Sequence, residues 1–321
     1  MEAVRTVSVI VSAYNEELYI RQCLDSLLGQ TLEGMEIIVV NDASTDSTSS
    51  ILAEYEARFP TVQVIHNQKN MRQGGARNLG FLKASGEYVA YCDADDWVDS
   101  TMYEKLYRKA VAENCDCVGC YYWKHHENGN ASTRAVVRGW GRIYRRSLIL
   151  EKRLFFPEHI RYEDVFFQKL LRYYLKSDCT LPEYLYHYRS HPNSTTHSLT
   201  PAIMFERETI ELLILDALEE RGLETEPFSP STNIEFLSRY VLGNIQAWVE
   251  KVNAFPDQEH LLLMRETVRR RLPRSRKYAS AFHLEGRLLL FLFFHSLIAF
   301  RAAAKLLSNS TARWGDFTKK E

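Results

Sequence analysis

The segment Gly86-Glu87-Tyr88-Val89-Ala90-Tyr91-Cys92-Asp93-Ala94-Asp95-Asp96-Trp97 sets an apolar run directly against three carboxylates. Tyr88 to Tyr91 reads as a buried strand bounded by a charged turn. Charges that follow the run at once cannot belong to a core, so the strand ends at a sheet edge and presents a compact acidic cluster to solvent. Hard carboxylate oxygens suit Mg²⁺ or Mn²⁺, and such ions neutralise a diphosphate. An isolated Asp-x-Asp is also compatible with a solvated acidic turn, so the flanking sequence has to decide.

Upstream, the same design repeats. Val7 to Ser12 is a β-branched strand followed by Ala13-Tyr14-Asn15-Glu16, and Glu36 to Val40 is a second one followed by Asn41-Asp42-Ala43-Ser44-Thr45-Asp46. Helical spacing over Glu16 to Leu28 and Thr48 to Phe59, a third strand at Val62 to Ile65 and a helix from Ala76 to Ala84 complete the alternation. That order predicts an α/β fold with a mostly parallel sheet flanked by helices, and a ligand site outside the carboxyl ends of the strands. Asp42 and Asp46 can accept hydrogen bonds from base or ribose, whereas capping of the next helix better explains Asp46 and Ser47. Gly74-Gly75-Ala76-Arg77-Asn78 offers a backbone able to approach a ligand closely and an arginine suited to phosphate.

Taken in order, SVIVSAYNEE, EIIVVNDASTDST, GGARNLG, GEYVAYCDADDW and RYEDVFF resemble the family 2 glycosyltransferases over about residues 5 to 200. The resemblance implies a GT-A fold, a nucleotide-sugar donor with UDP expected, inversion at the sugar carbon, and Mn²⁺ or Mg²⁺ as cofactor. It implies that Ala13, Tyr14, Glu16 and Asp42 line the nucleoside pocket and that Arg77 lies near the donor. Asp93 and Asp95 would form the Asp-x-Asp site, with Asp95 carrying the metal, and Asp164 of Glu163-Asp164 would be the catalytic base. Arg142 stands where a basic residue is common, and it is read either as a contact to donor phosphate or acceptor or as part of an exposed basic turn. The segment from Tyr186 to Thr196 resembles the family's Tyr-rich ending, in which His187, Arg189 and His191 are candidates to reach the diphosphate.

The chain has 321 residues with 40 basic and 41 acidic side chains, for a formal net charge of −1, so the whole-chain balance carries no nucleic-acid footprint. That neutrality is a cancellation, because residues 261 to 321 sum to +9 and residues 1 to 260 to −10. Beyond about residue 200 long amphipathic stretches replace strands, which suggests a catalytic region over 1–205 and a helical region over 206–321. The apolar run LLLFLFFHSLIAF between Arg287 and Arg301 spans about 20 Å as a helix, short of the ~30 Å hydrocarbon layer. It is read either as an anionic-membrane contact within 261–308 or as a packed core helix.

Six cysteines without scaffold density, and Met1 to Thr6 running straight into a strand, suit a reducing cytoplasmic location at or away from the membrane's inner face. Cys115, Cys117 and Cys120 lack a second ligand pair, so they read as part of a buried strand rather than a metal site. The expected partners are a nucleotide-sugar and a glycan or glycolipid acceptor, the latter set against residues 125 to 160 and the C-terminal helices. A non-catalytic sugar-nucleotide sensor or scaffold is the competing reading, and it has no use for Asp164 beside Asp93 and Asp95.

Overall fold

The computed structural model describes residues 5–191, 200–224, 229–251, 256–272 and 284–308. The Asn-Ser end of the Tyr-rich segment, the start of the Pro/Ser-rich stretch before Ser229, and Arg274, Arg276 and Lys277 lie outside these residues. Two compact units divide the chain, residues 1–195 and 196–321.

In the first unit β1 (Val7–Ala13), β2 (Glu36–Asn41), β3 (Val62–His66) and β4 (Tyr88–Asp93) alternate with α1 (Ile20–Leu28), α2 (Thr48–Arg58) and α3 (Arg72–Lys83). Every residue of β1 is buried, which is why its β-branched side chains occupy both faces. The four strands pair in parallel in the order β3-β2-β1-β4. Register places Ser12 opposite Asp93 and Ala13 opposite Asn41, so the polar ends of three strands emerge at one edge.

One local expectation is corrected here. The third helix begins at Arg72 rather than Ala76, and Gly74 and Gly75 are helical. A Cβ on Gly74 would lie 2.3 Å from the Pro157 carbonyl oxygen, and one on Gly75 would lie 2.6 Å from Met71 Cβ. These glycines serve close packing of α3, not the approach of a ligand to the backbone.

The rest of the unit comprises β5 (Trp97–Val98), α4 (Met102–Ala112), β6 (Cys117–His125), β7 (Ala131–Arg134), β8 (Arg142–Arg145), α5 (Arg146–Glu151), α6 (Glu163–Arg172) and β9 (Asp178–Arg189). The sheet continues from β4 through β8, β6 and β9 to β5, with β7 on β6. Strand β8 is antiparallel to both neighbours, β6 and β9 are parallel, and β5 is antiparallel to β9.

Cys117 and Cys120 are buried thiols of β6, as expected for that strand. Cys115 precedes the strand and is disulfide-bonded to Cys179, a departure from six reduced thiols. Pairing of Val118 with Cys179 across β6 and β9 brings the two sulfurs together.

The second unit holds α7 (Pro201–Glu220), α8 (Pro230–Phe236), a π-helical segment Leu237–Gly243, α9 (Asn244–Lys251), α10 (Gln258–Arg271), α11 (Leu284–His295) and α12 (Leu297–Ser308). Its long apolar run breaks at Ser296, whose Oγ accepts from the Ala299 N–H at 3.3 Å and so caps α12. Leu289, Leu290, Phe293, Phe294 and Phe300 are buried, whereas Leu288, Phe291 and Ile298 are exposed. Among the described residues no helix is long and apolar enough to cross a membrane.

Candidate active site

Three loops at the carboxyl ends of β1, β2 and β4 form the site. Asn15 and Ala43 hold left-handed backbone (φ 58° and 62°), a conformation that costs an alanine about 1 kcal/mol. The cost is offset by bonds that lock two of the loops together. Asn15 Oδ1 accepts from Thr45 N–H at 2.8 Å, the Glu16 N–H donates to Thr48 Oγ1 at 2.8 Å, and the Glu17 N–H donates to Asp46 Oδ2 at 3.2 Å. Asp46 Oδ1 also accepts from the Thr48 N–H at 3.0 Å, so its capping role is extended to a bridge between loops.

Asp42 is buried at the end of β2. Its Oδ1 accepts from Asn67 Nδ2 at 2.7 Å and from Met71 N–H at 2.9 Å. Ala13 is buried beside it, while Tyr14 stands 46% exposed at the rim. Asn67 escaped the sequence reading, although it follows β3 as the other polar residues follow their strands; inspection of that third strand end would have found it.

In the turn after β4, carboxylate oxygens of Asp93, Asp95 and Asp96 lie within 4.8 Å of one another. They differ in their commitments. Asp96 is buried with one oxygen accepting from the Tyr186 hydroxyl at 2.7 Å and the other from the Arg189 N–H at 2.7 Å. Asp95 Oδ2 lies 2.8 Å from His191 Nε2, and His191 Nδ1 is buried without a partner among the described residues. Asp93 Oδ1 accepts from Arg77 Nη2 at 2.8 Å. The hard oxygens that Asp93 and Asp95 bring together in this turn are a donor set that fits a divalent cation, and His191 Nε2 orients one of them.

The crowding of like charge shows in the titration. Burial, followed by the neighbouring Asp95 and Asp93, pushes Glu16 up to about 8. Burial and then Asp93 raise Asp95, and burial with Asp95 and Asp93 raises Asp96 well above the usual carboxylate range.

Arg77 joins this turn to α6. Its side chain is 7% exposed, with Nη2 on Asp93 and Nη1 donating to Glu163 Oε1 at 2.6 Å. Glu163 is therefore buried and committed, and burial raises it despite the guanidinium. Asp164, the next residue, is exposed in the first turn of α6, preceded by Tyr162 in left-handed backbone (φ 64°). One carboxylate of the pair is buried against Arg77 and the other is exposed.

Other sequence candidates are tied down. Arg189 donates to the Asp95 carbonyl at 2.7 Å and to Gln22 Oε1 at 2.6 Å, with its guanidinium between the rings of Tyr19 and Trp97. His187 stacks on Trp97 and lies 3.3 Å from Asp99. Arg142 pairs with Asp178 at 2.7 Å. Among the described residues of the Tyr-rich group, only His191 bonds to a side chain of the Asp-x-Asp pair. Tyr186 was missed as a site residue, because its contact with Asp96 depends on strand pairing that no local pattern announces.

A parallel sheet with polar strand ends, an acidic turn after the fourth strand and a carboxylate at the start of α6 define the GT-A class of α/β enzymes. The chain belongs to glycosyl transferase family 2, whose family model matches residues 8–175. EpsH of Bacillus subtilis (strain 168), named as a glycosyltransferase, is 37% identical over 216 residues, covering 59% of this chain and 62% of EpsH. Staphylococcus aureus TarS 1-349 in complex with UDP-GlcNAc has a similar fold, with a TM-score of 0.70 at 18% identity over 94% of this chain and 91% of that one. Mannosyltransferase PcManGT from Pyrobaculum calidifontis, in complex with GDP-Man and Mn²⁺, gives 0.52 at 17% identity over 96% and 88%. The chain thus spans under two thirds of the length of EpsH and matches the two solved structures in fold.

Proposed function

We propose that the first unit transfers a sugar, with inversion, from a UDP-linked donor to a hydroxyl of a glycan or lipid-linked acceptor in bacterial cell-surface polysaccharide synthesis. The observation that carries this reading is the Asp93–Arg77–Glu163 bridge, which fixes the acidic turn against the helix that exposes Asp164. Ala13, Tyr14, Glu16 and Asp42, with Asn67, line the nucleoside pocket. Asp95 and Asp93 would hold Mn²⁺ or Mg²⁺, which when bound would neutralise the departing diphosphate.

Asp164 accepts the proton of the acceptor hydroxyl as that oxygen forms its bond to the anomeric carbon. On the opposite side, the bond from that carbon to the diphosphate oxygen breaks, and its electron pair leaves with UDP. Charge and atoms balance without a second protein acid. Mn²⁺-dependent UDP release from a panel of UDP-sugars tests the reading. UDP binding without turnover, with acceptors supplied, would favour the sensor instead.

We place the chain in the cytoplasm, and its contact with the inner membrane face is supported by exposed Leu262, Leu263, Leu288, Phe291 and Ile298 in the second unit, with Arg270 exposed on α10. Flotation with anionic liposomes should separate the full chain from one ending near residue 260. Equal flotation of both removes the membrane reading.

A further inference from the structure

We propose that the indole of Trp140 is the platform on which a pyranose ring of the acceptor stacks. This assignment rests on the transferase reading and names the acceptor side of the same site. Trp140 lies in the 3₁₀ turn Gly139–Gly141 just before β8. Its ring stacks on Tyr186 (centroids 4.2 Å apart, planes at 27°), runs parallel to Tyr188 (5.7 Å, 10°) and meets Tyr122 edge-on (4.8 Å, 85°).

Contacts to the acidic turn and to α6 hold this turn from two sides. On one side Tyr186 donates its hydroxyl proton to Asp96 and accepts from the Asp93 N–H at 3.3 Å. On the other, the Gly139 carbonyl accepts from the Tyr144 hydroxyl at 2.8 Å, and that hydroxyl accepts from Gln168 Nε2 at 2.6 Å. Gln168 is one helical turn beyond Asp164 on the same face of α6. A Cβ on Gly139 would lie 3.1 Å from Gln168 Nε2, so turn and helix are in direct contact. Trp140 is accordingly fixed between the acidic turn and the helix of the base.

What it presents there suits a sugar. Tyr186 and Tyr188 project from the same side of β9, and both rings run along the indole and hold its plane. Trp140 nonetheless stays partly exposed, whereas Tyr186 and Tyr122 are buried. Its Nε1–H has no partner among the described residues and is not among the buried polar atoms left unsatisfied. The exposed part of a rigid indole, with a free N–H, matches the C–H face and the hydroxyls of a pyranose, and being already ordered it binds at small entropic cost.

The test is saturation-transfer NMR on the full chain with UDP and Mn²⁺, using methyl α- and β-glycosides of glucose, galactose, N-acetylglucosamine and N-acetylgalactosamine as probes. At least one glycoside should receive saturation on its ring C–H protons. Trp140→Ala should weaken that glycoside about tenfold, and Trp140→Phe, which keeps a ring, should weaken it less. UDP affinity should stay within about twofold in both variants. Absence of saturation in every glycoside, equal saturation in Trp140→Ala, or parallel loss of UDP and glycoside binding overturns the proposal. Failure of the unaltered chain to bind UDP would instead count against the nucleotide-sugar reading, and the glycoside arm is read independently of it.

Discussion

The parallel strands β1 to β4 and the mixed strands β5 to β9 belong to one sheet but are specified differently. In the parallel half each acidic site residue stands within a few positions of the strand that carries it, as Asp42 does after β2 and Asp95 after β4. In the mixed half the decisive contacts are remote in sequence. His191 reaches Asp95 across 96 residues, and Arg77 reaches Glu163 across 86. The proposed donor pocket is thus written locally, while the placement of the proposed base depends on how the two halves meet.

The sharpest way to break this division is to remove one carboxylate from each half. Asp164→Asn should lower turnover about a thousandfold by removing the general base while UDP binding with Mn²⁺ persists. Asp95→Asn should lower it comparably, but with loss of Mn²⁺-dependent UDP binding. Steady-state kinetics beside calorimetric titration of UDP distinguishes the two. Full activity in Asp164→Asn would remove the base assignment, and matching binding defects in both variants would dissolve the comparison.

Arg77 is where the halves are joined. Arg77→Met leaves Glu163 buried without its counter-ion, a change that typically costs about 3–5 kcal/mol. The double variant Arg77→Met, Glu163→Gln should recover much of that stability in thermal unfolding without recovering turnover, because the acidic turn is still cut loose from α6. Recovery of both would reduce the bridge to a structural ion pair.

This joint also marks how far the sequence could be read. The strand–helix alternation, the polar strand ends and the Glu163-Asp164 pair are local signals, and they suffice for the GT-A fold and for most of the pocket. Gly74 and Gly75 were misread as a ligand loop because a glycine required by helix packing looks the same in sequence as one required by a turn. Which carboxylate of Glu163-Asp164 is buried, and that Arg189 is locked between Tyr19 and Trp97, follow from contacts between elements distant in sequence that carry no local periodicity.

The disulfide lies wholly in the mixed half. A closed loop spanning 64 residues contributes about 4 kcal/mol by chain entropy when oxidised. Thiol titration of the unfolded chain should give four free groups after oxidation and six under the reducing conditions of the proposed location. Melting should be lower in the reduced protein and in Cys115→Ser, with UDP affinity preserved because the nucleoside residues sit on the parallel strands. A fall in UDP affinity on reduction would show that the halves are coupled far from Arg77.

The smallest expected effect is in the parallel half, at Glu16. Its carboxyl, ordinarily near 4.5, is pushed to about 8 by burial and then by Asp95, Asp93 and Asp46, with Arg189 opposing. Between these values the folded chain keeps a proton that the unfolded chain has lost, so the contribution to stability is full below about 4.5 and is lost as pH rises through about 8. A divalent cation on Asp93 and Asp95 offsets the same charge that raises Glu16, so its binding should expel the proton and tighten as pH rises. Melting in EDTA should therefore decline from about pH 5 to about pH 9, more steeply than with Mn²⁺. Glu16→Gln, which keeps the size and removes the titration, should flatten the EDTA curve. Superimposable slopes for the two proteins would mean that the field of the acidic turn does not reach β1, and the three strand ends would then have to be treated as separate sites rather than one.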